Sequence, residues 1–71
     1  MAQDMEEFRA LSNQEILARL NDAREELMNL RFQSATGELT DFNRLSYTRR
    51  RIARMLTLLN ERERQARTDG E

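Results

Sequence analysis

Arginines at helical spacing are the residues of this sequence best suited to chemistry. Arg44, Tyr47, Arg51 and Arg54 follow at intervals of three and four, with Arg50 beside them. In a helix this spacing places side chains on one face. Clustered guanidinium groups neutralise phosphates, and an aromatic ring stacks on a base or ribose. The pattern predicts an RNA-binding face directed away from the core; a solvated charged face or contact with an acidic protein is the alternative.

The charges are distributed unevenly along the 71 residues, although the net charge is only −1. Residues 1–30 hold three arginines against seven acids, a net charge of −4. Residues 31–54 hold six arginines against two acids, a net charge of +4, and residues 55–71 hold three against four. A polyanion is therefore expected to bind the middle third of the chain, where the positive charge is concentrated.

The sequence lacks most of the residue types that catalytic sites use. The sequence has no His, Cys or Lys to activate a nucleophile or hold a metal ion. The neighbouring carboxylates Glu25 and Glu26 diverge by about 100° on a helix, and Gly37 stands alone, so no glycine-rich phosphate loop exists. We expect no catalytic residue, metal, cofactor or small-molecule substrate. No signal peptide or membrane-spanning segment is predicted either.

Two helices and a turn account for the chain as a single domain, residues 1–71. Ser12 and Glu15 form a capping box that predicts a first helix over about 13–36, and Gly37 is suited to end it. A turn at about 37–40 leads to a second helix over about 41–62, capped by Thr40 or Asp41. Residues 1–10 and 63–71 are expected to be flexible ends. The predicted fold is an all-α, antiparallel two-helix hairpin.

Apolar residues form one stripe on each predicted helix, and the two stripes should face each other. Met28 and Phe32 lie to one side of the first stripe. They either stay within the hairpin, by wrapping around the margin of its core or meeting Phe42 near the turn, or contact a protein partner. The stripes comprise Ile16, Leu20, Ala23, Leu27 and Leu30, and then Leu45, Thr48, Ile52, Leu56 and Leu59.

Two sequence motifs are also recognisable. The first reads ELMNLRFQ over residues 26–33 and continues as ATGEL over 35–39. The second reads RRRIAR over residues 49–54, followed by Thr57 and by Glu-Arg at 61–62. Together with the FRALS segment at 8–12, they make residues 8–62 resemble the bacterial form of the universal large-subunit ribosomal protein twenty-nine family.

This resemblance implies a helical hairpin without catalytic activity on the cytoplasmic ribosome. It would bind large-subunit rRNA near the exit of the nascent-chain tunnel, beside the large-subunit ribosomal protein twenty-three, where chaperones and targeting factors dock. Tyr47 and Arg51 match no fixed family residue, and their predicted role rests on helical spacing alone. By motif position, the RNA-facing residues would be Asn29, Arg31, Gln33, Thr36, Arg44, Arg49, Arg50 and Arg54.

A second class of function also fits the apolar stripes. The chain could be a protein-interaction module that self-associates as a coiled coil or four-helix bundle without RNA. In that case Met28 and Phe32 are oligomer contacts and the arginines are solvated. Paired charges would then be spread along both helices, whereas here the arginines concentrate near the turn.

Overall fold

Three helices make up the fold, which is known from a computed structural model that describes residues 2–70 and the side chains of residues 5–69. Helix α1 spans Ala2–Arg9, α2 spans Asn13–Thr36 and α3 spans Phe42–Gly70. Helices α2 and α3 pack against each other, and α1 packs against α3. The part of the chain described has no strand. The predicted all-α hairpin is therefore confirmed.

Both ends of α2 lie where the local sequence places them. Ser12 Oγ accepts a hydrogen bond from the Glu15 amide at 3.2 Å, which satisfies one of the free donors of the first turn. At the other end Gly37 has φ 80°, a left-handed conformation that glycine adopts without strain. The Gly37 amide donates to Ser34 O and the Glu38 amide to Gln33 O, completing a Schellman motif.

Helix α3 begins as expected but extends further. The Asn43 amide donates to Asp41 Oδ1 at 3.0 Å, so Asp41 caps the helix. The predicted end near residue 62 was wrong: the helix runs to Gly70, and residue 71 lies outside the described part. Residues 63–69 contain no proline or glycine, and an ion pair between Arg67 and Glu63 at 2.7 Å supports this last portion.

The N-terminal segment forms α1, which the sequence analysis did not predict. Residues 1–10 were expected to be a flexible end, but Phe8 is completely buried, and residues 2–9 are helical. Residue 1 lies outside the described residues. Phe8 belongs to the main core cluster, because α1 folds back against α3. The other buried members of the cluster are Ile16, Leu20, Met55 and Leu58.

Arg62 holds the connection between α1 and α2. Its guanidinium donates to Leu11 O at 2.9 Å, to Arg9 O at 3.1 Å and to Asn13 Oδ1 at 2.8 Å. The first two acceptors are carbonyls at or beyond the end of α1, where a helix lacks intrahelical donors. One side chain of α3 therefore fixes the path by which the chain enters α2.

The buried face of α3 is rotated from the predicted stripe. Met55 and Leu58, which were not assigned to the stripe, are buried. Thr48, which was assigned to it, is buried as well. Ile52 is only half-buried, and so is Leu27 of α2, although both belong to the predicted stripes. The rotation has a physical reason: α3 packs against both α1 and α2, so its buried arc must point between two neighbours.

Candidate nucleic-acid interface

The parts of α2 and α3 nearest the turn carry positive charge alone. Residues 28–36 and 42–54 contain six arginines and no carboxylate. The two acids of this end, Glu38 and Asp41, are in the turn itself. This concentration of positive charge attracts polyanions. Which arginines can reach a ligand depends on their partners within the chain.

Arg49 and Arg50 are exposed on the face of α3 that points away from α2. Neither forms an ion pair with another side chain among residues 5–69. They border a shallow depression whose remaining lining is Ser46 and Ala53. Because these two side chains are small, a sugar-phosphate backbone can approach the helix closely between the two guanidinium groups. This outer face of α3, residues 46, 49, 50 and 53, is the candidate phosphate site.

The spacing of Arg51 predicted that its side chain points away from the core, but the structure shows the opposite. Its guanidinium carbon lies 4.9 Å from the centre of the Phe8 ring and 5.5 Å from the centre of the Tyr47 ring. Its Nη1 atom donates a hydrogen bond to Tyr47 Oη at 3.1 Å. Its Nη2 atom lies 3.8 Å from Glu7 Oε1. Only 21% of its side chain is exposed. Arg51 therefore joins α1 to α3, because the buried arc of α3 has turned toward α1.

The other members of the predicted stripe differ in exposure. Arg44 is exposed and forms an ion pair across the hairpin with Glu26 of α2, with 2.5 Å between Nη2 and Oε1. Tyr47 is also exposed, whereas Arg54 is half-buried. The predicted direction away from the core was therefore wrong for Arg51, which packs against α1. Arg50, which was placed beside the stripe, is exposed.

The candidate residues of α2 cluster in its last three turns. Asn29, Arg31 and Thr36 are exposed, whereas Gln33 is half-buried. The Gln33 carbonyl accepts hydrogen bonds from the amides of Glu38 and Leu39 and from Thr36 Oγ1, and it thereby organises the turn. The exposed three remain available to a ligand.

Large apolar side chains are exposed at the same end of the hairpin. The exposed fraction is 69% for Met28 and 67% for Phe32 on α2, and 62% for Phe42 on α3. Met28 and Phe32 therefore do not wrap around the margin of the core, which was one of the two expectations for them. Such a concentration of exposed apolar side chains in a small chain is typical of a contact surface.

Sequence reasoning missed two positions that organise the molecule. Phe8 was assigned to a flexible end, although a lone aromatic residue near a capping box is a signal for packing. Arg62 was noted only as part of a motif. Its role depends on bonds to residues about 50 positions earlier, which no local pattern reveals.

The fold and the surface define a class of protein: a small all-α hairpin with arginines concentrated next to its turn and with exposed aromatic side chains. Among residues 2–70 no cluster of His, Cys, Asp or Glu could hold a metal ion. No helix of this part is long and apolar enough to cross a membrane. The model of the family described as "Ribosomal L29 protein" matches residues 6–62. The chain belongs to this family of large-subunit ribosomal proteins.

Curated relatives agree with the family match. The chain is 56% identical over 57 residues to the large ribosomal subunit protein uL29 of Streptomyces coelicolor, covering 80% of this chain and 77% of that protein. It is 58% identical to uL29 of Corynebacterium aurimucosum, with 80% and 75% covered. The resemblance seen in the sequence is therefore confirmed, and with it a place on the cytoplasmic ribosome. This is a family of structural ribosomal proteins and not of enzymes.

Proposed function

We propose that this protein is a structural component of the large ribosomal subunit that binds rRNA through the turn-proximal half of its hairpin. The observation that carries the proposal is the outer face of α3. Arg49 and Arg50 are exposed there without an ion pair in the described chain, beside the small residues Ser46 and Ala53. Phosphate contacts of this kind supply much of the affinity for RNA.

The remaining candidates contribute according to their surroundings. Arg31, Asn29 and Thr36 on α2 are exposed and suited to contact phosphate, ribose or bases. Arg44 binds Glu26 in the free chain, so RNA must compete with a carboxylate for it. Gln33 organises the turn, and Arg51 joins α1 to α3 beside Tyr47. Arg54 is half-buried and therefore less accessible to RNA than Arg49 and Arg50.

The resemblance to the family also suggests where on the large subunit the protein lies. We propose a site near the exit of the nascent-chain tunnel, next to the large-subunit protein twenty-three and within reach of chaperones or targeting factors. The exposure of Met28 and Phe32 supports a contact with a neighbouring component of the subunit, because both side chains lack cover within the described chain. Cross-linking from Met28 in assembled subunits would identify that neighbour.

The salt dependence of RNA binding tests the proposal directly. Replacing Arg49 and Arg50 by alanine should weaken binding to large-subunit rRNA. Each phosphate contact adds about 0.7 to 0.9 to the slope of log Kobs against log salt concentration. The double variant should therefore reduce the slope by about 1.4 to 1.8. The measurement is a titration of labelled rRNA at several salt concentrations.

Arg64 and Arg67 provide the matched control. They lie on the same helix but far from the turn, and replacing both by alanine removes the same charge. This control variant should keep the original slope. Equal losses in the two variants would mean that total charge matters and the outer face of α3 does not.

Sedimentation separates the proposal from self-association. In a lysate centrifuged through a gradient, the chain should travel with the large ribosomal subunit. Recovery only in light fractions, as a small homo-oligomer, would favour the self-associating helical module and contradict the proposed function.

A further inference from the structure

Helix α1 covers only one of the two grooves that run between α2 and α3. On α3, Arg51 and Arg62 contact α1. On α2, Arg19 forms an ion pair with Glu7 of α1 at 2.6 Å. A helix rotates by about 100° per residue, so these contacts all lie on one margin of each long helix. In the part of the chain that the structure describes, no helix covers the groove on the other margin.

Two leucines of α3 show the difference between the covered side and the open side. Leu56 and Leu58 are two positions apart, so their side chains diverge by about 160° around the helix. Leu58 lies on the side of α1, is 4% exposed and belongs to the core cluster that contains Phe8. Leu56 packs against the same cluster from the other side but is only half-buried. The open side of α3 therefore has an apolar margin without the cover that α1 gives to Leu58.

The surface on this side is apolar along several turns. Leu45 and Ile52 are seven positions apart, so they lie in one line along α3, and Leu56 follows one turn later. Leu27 adjoins them from α2, and all four side chains are half-buried. Leu17 of α2 extends the surface and is 48% exposed. These residues, 17, 27, 45, 52 and 56, form the open groove, which follows α3 for about 17 Å, or about three turns.

The charges at the edges of the open groove are positive. Leu17, Arg24 and Arg31 follow at intervals of seven and therefore share one edge of α2. Arg49 lies on the edge of α3, where the open groove borders the outer face of that helix. All three arginines are exposed. By the same rotation the acids of α2 point elsewhere: Glu15, Asp22 and Glu26 toward the covered groove, and Glu25 away from both grooves.

This combination of apolar floor and basic edges distinguishes between the possible occupants. Leucine and isoleucine side chains offer no hydrogen bond to a phosphate or a base, but they pack against an apolar protein surface. A second copy of the chain would bring its own arginines next to Arg24 and Arg31, and like charges repel. The one acid of α3 on this edge, Glu63, is already paired with Arg67 at 2.7 Å. The groove is therefore complementary to a protein segment that is apolar in the middle and acidic at its sides.

We infer that the open groove binds an amphipathic helix of another protein, about three turns long, with acidic residues beside its apolar face. Its apolar side chains pack against Leu27, Ile52 and Leu56, and its carboxylates pair with Arg24 and Arg31, as in other helix-in-groove contacts. The bound helix occupies on the open side the place that α1 occupies on the covered side. This contact is separate from the proposed binding of rRNA by the outer face of α3, and either can exist without the other.

Photo-cross-linking from the edge of the open groove tests the inference. The chain has no cysteine, so Leu17→Cys introduces a single thiol that takes a benzophenone maleimide. The labelled full-length protein is added to large subunits that lack it, together with a cell extract, and the ribosomes are isolated at low salt so that associated proteins stay bound. After irradiation, mass spectrometry identifies the cross-linked peptides. Asp22→Cys, exposed on the side of the covered groove, is the matched control.

The expected result is a cross-link from position 17, absent from position 22, to a segment of another protein with apolar residues at helical spacing and acidic residues beside them. Adding Arg24→Glu should lower the yield of this cross-link several-fold, because it places a negative charge beside the acidic residues of the partner. Arg64→Glu makes the same change of charge at an exposed position far from the groove and should leave the yield unchanged.

Several outcomes would overturn the inference. They are a cross-link from position 17 to rRNA, to a second copy of the chain or to a protein segment without acidic residues, and a yield that Arg24→Glu does not change. The absence of any cross-link, in subunits that contain the labelled protein, would overturn it as well. None of these results bears on the proposed rRNA contact, which the salt dependence of the Arg49 and Arg50 variant measures separately.

Discussion

At the scale of single residues, arginines with the same charge perform different tasks. Arg49 and Arg50 remain exposed, whereas Arg51 stacks between Phe8 and Tyr47. Stacking of a guanidinium on an aromatic ring stabilises a fold because the cation interacts with the ring while its alkyl stem stays packed. The number of arginines in the basic segment is therefore larger than the number available to RNA.

Arg62 gives a prediction at this scale. Arg62→Ala removes three hydrogen bonds to the segment between α1 and α2. Hydrogen bonds from a charged donor stabilise the folded state, so the free energy of unfolding should fall by about 1–3 kcal/mol. Urea denaturation followed by circular dichroism measures the change. Arg64→Ala, an exposed neighbour without such bonds, should stay within about 0.5 kcal/mol of the wild type, and an equal loss there would contradict the assigned role.

At the scale of elements, the turn depends on one backbone conformation. Gly37 has φ 80°, and a Cβ atom at this position would meet no atom within 4 Å. The cost of Gly37→Ala is therefore conformational and not steric, and should be about 1–2 kcal/mol. Gly37→Asn should lose less, since asparagine tolerates the left-handed region. Thermal melts of the three proteins give the order, and an alanine variant as stable as the wild type would refute this explanation.

Local signals explain which elements the sequence could predict. The limits of α2 follow from Ser12 and Gly37, because caps act on backbone groups within a few residues. The burial of Phe8 and the rotation of α3 depend on residues far apart in the chain, so no window of sequence contains them. The same holds for the site: Arg49 and Arg50 were identified by their motif, while the pairing of Arg44 with Glu26 requires the register of the hairpin.

At the scale of the whole molecule, the shape is elongated. The Cα radius of gyration is 14.6 Å, whereas a compact domain of this length would have about 11 Å. Small-angle scattering of the free protein should therefore give an extended monomer. A concentration-dependent mass of twice the monomer, with Met28 and Phe32 protected from solvent, would instead support the self-associating module.

The bonds of Arg62 also impose an order on biosynthesis. They connect positions separated by 49 to 53 residues, and the donor, Arg62, is translated after all three acceptors. The helical hairpin forms from contacts nearer in sequence, which close faster. Helix α1 precedes Arg62 in translation, yet it can reach its final position only after Arg62 has left the ribosome that makes it. A segment that is translated early is thus fixed late.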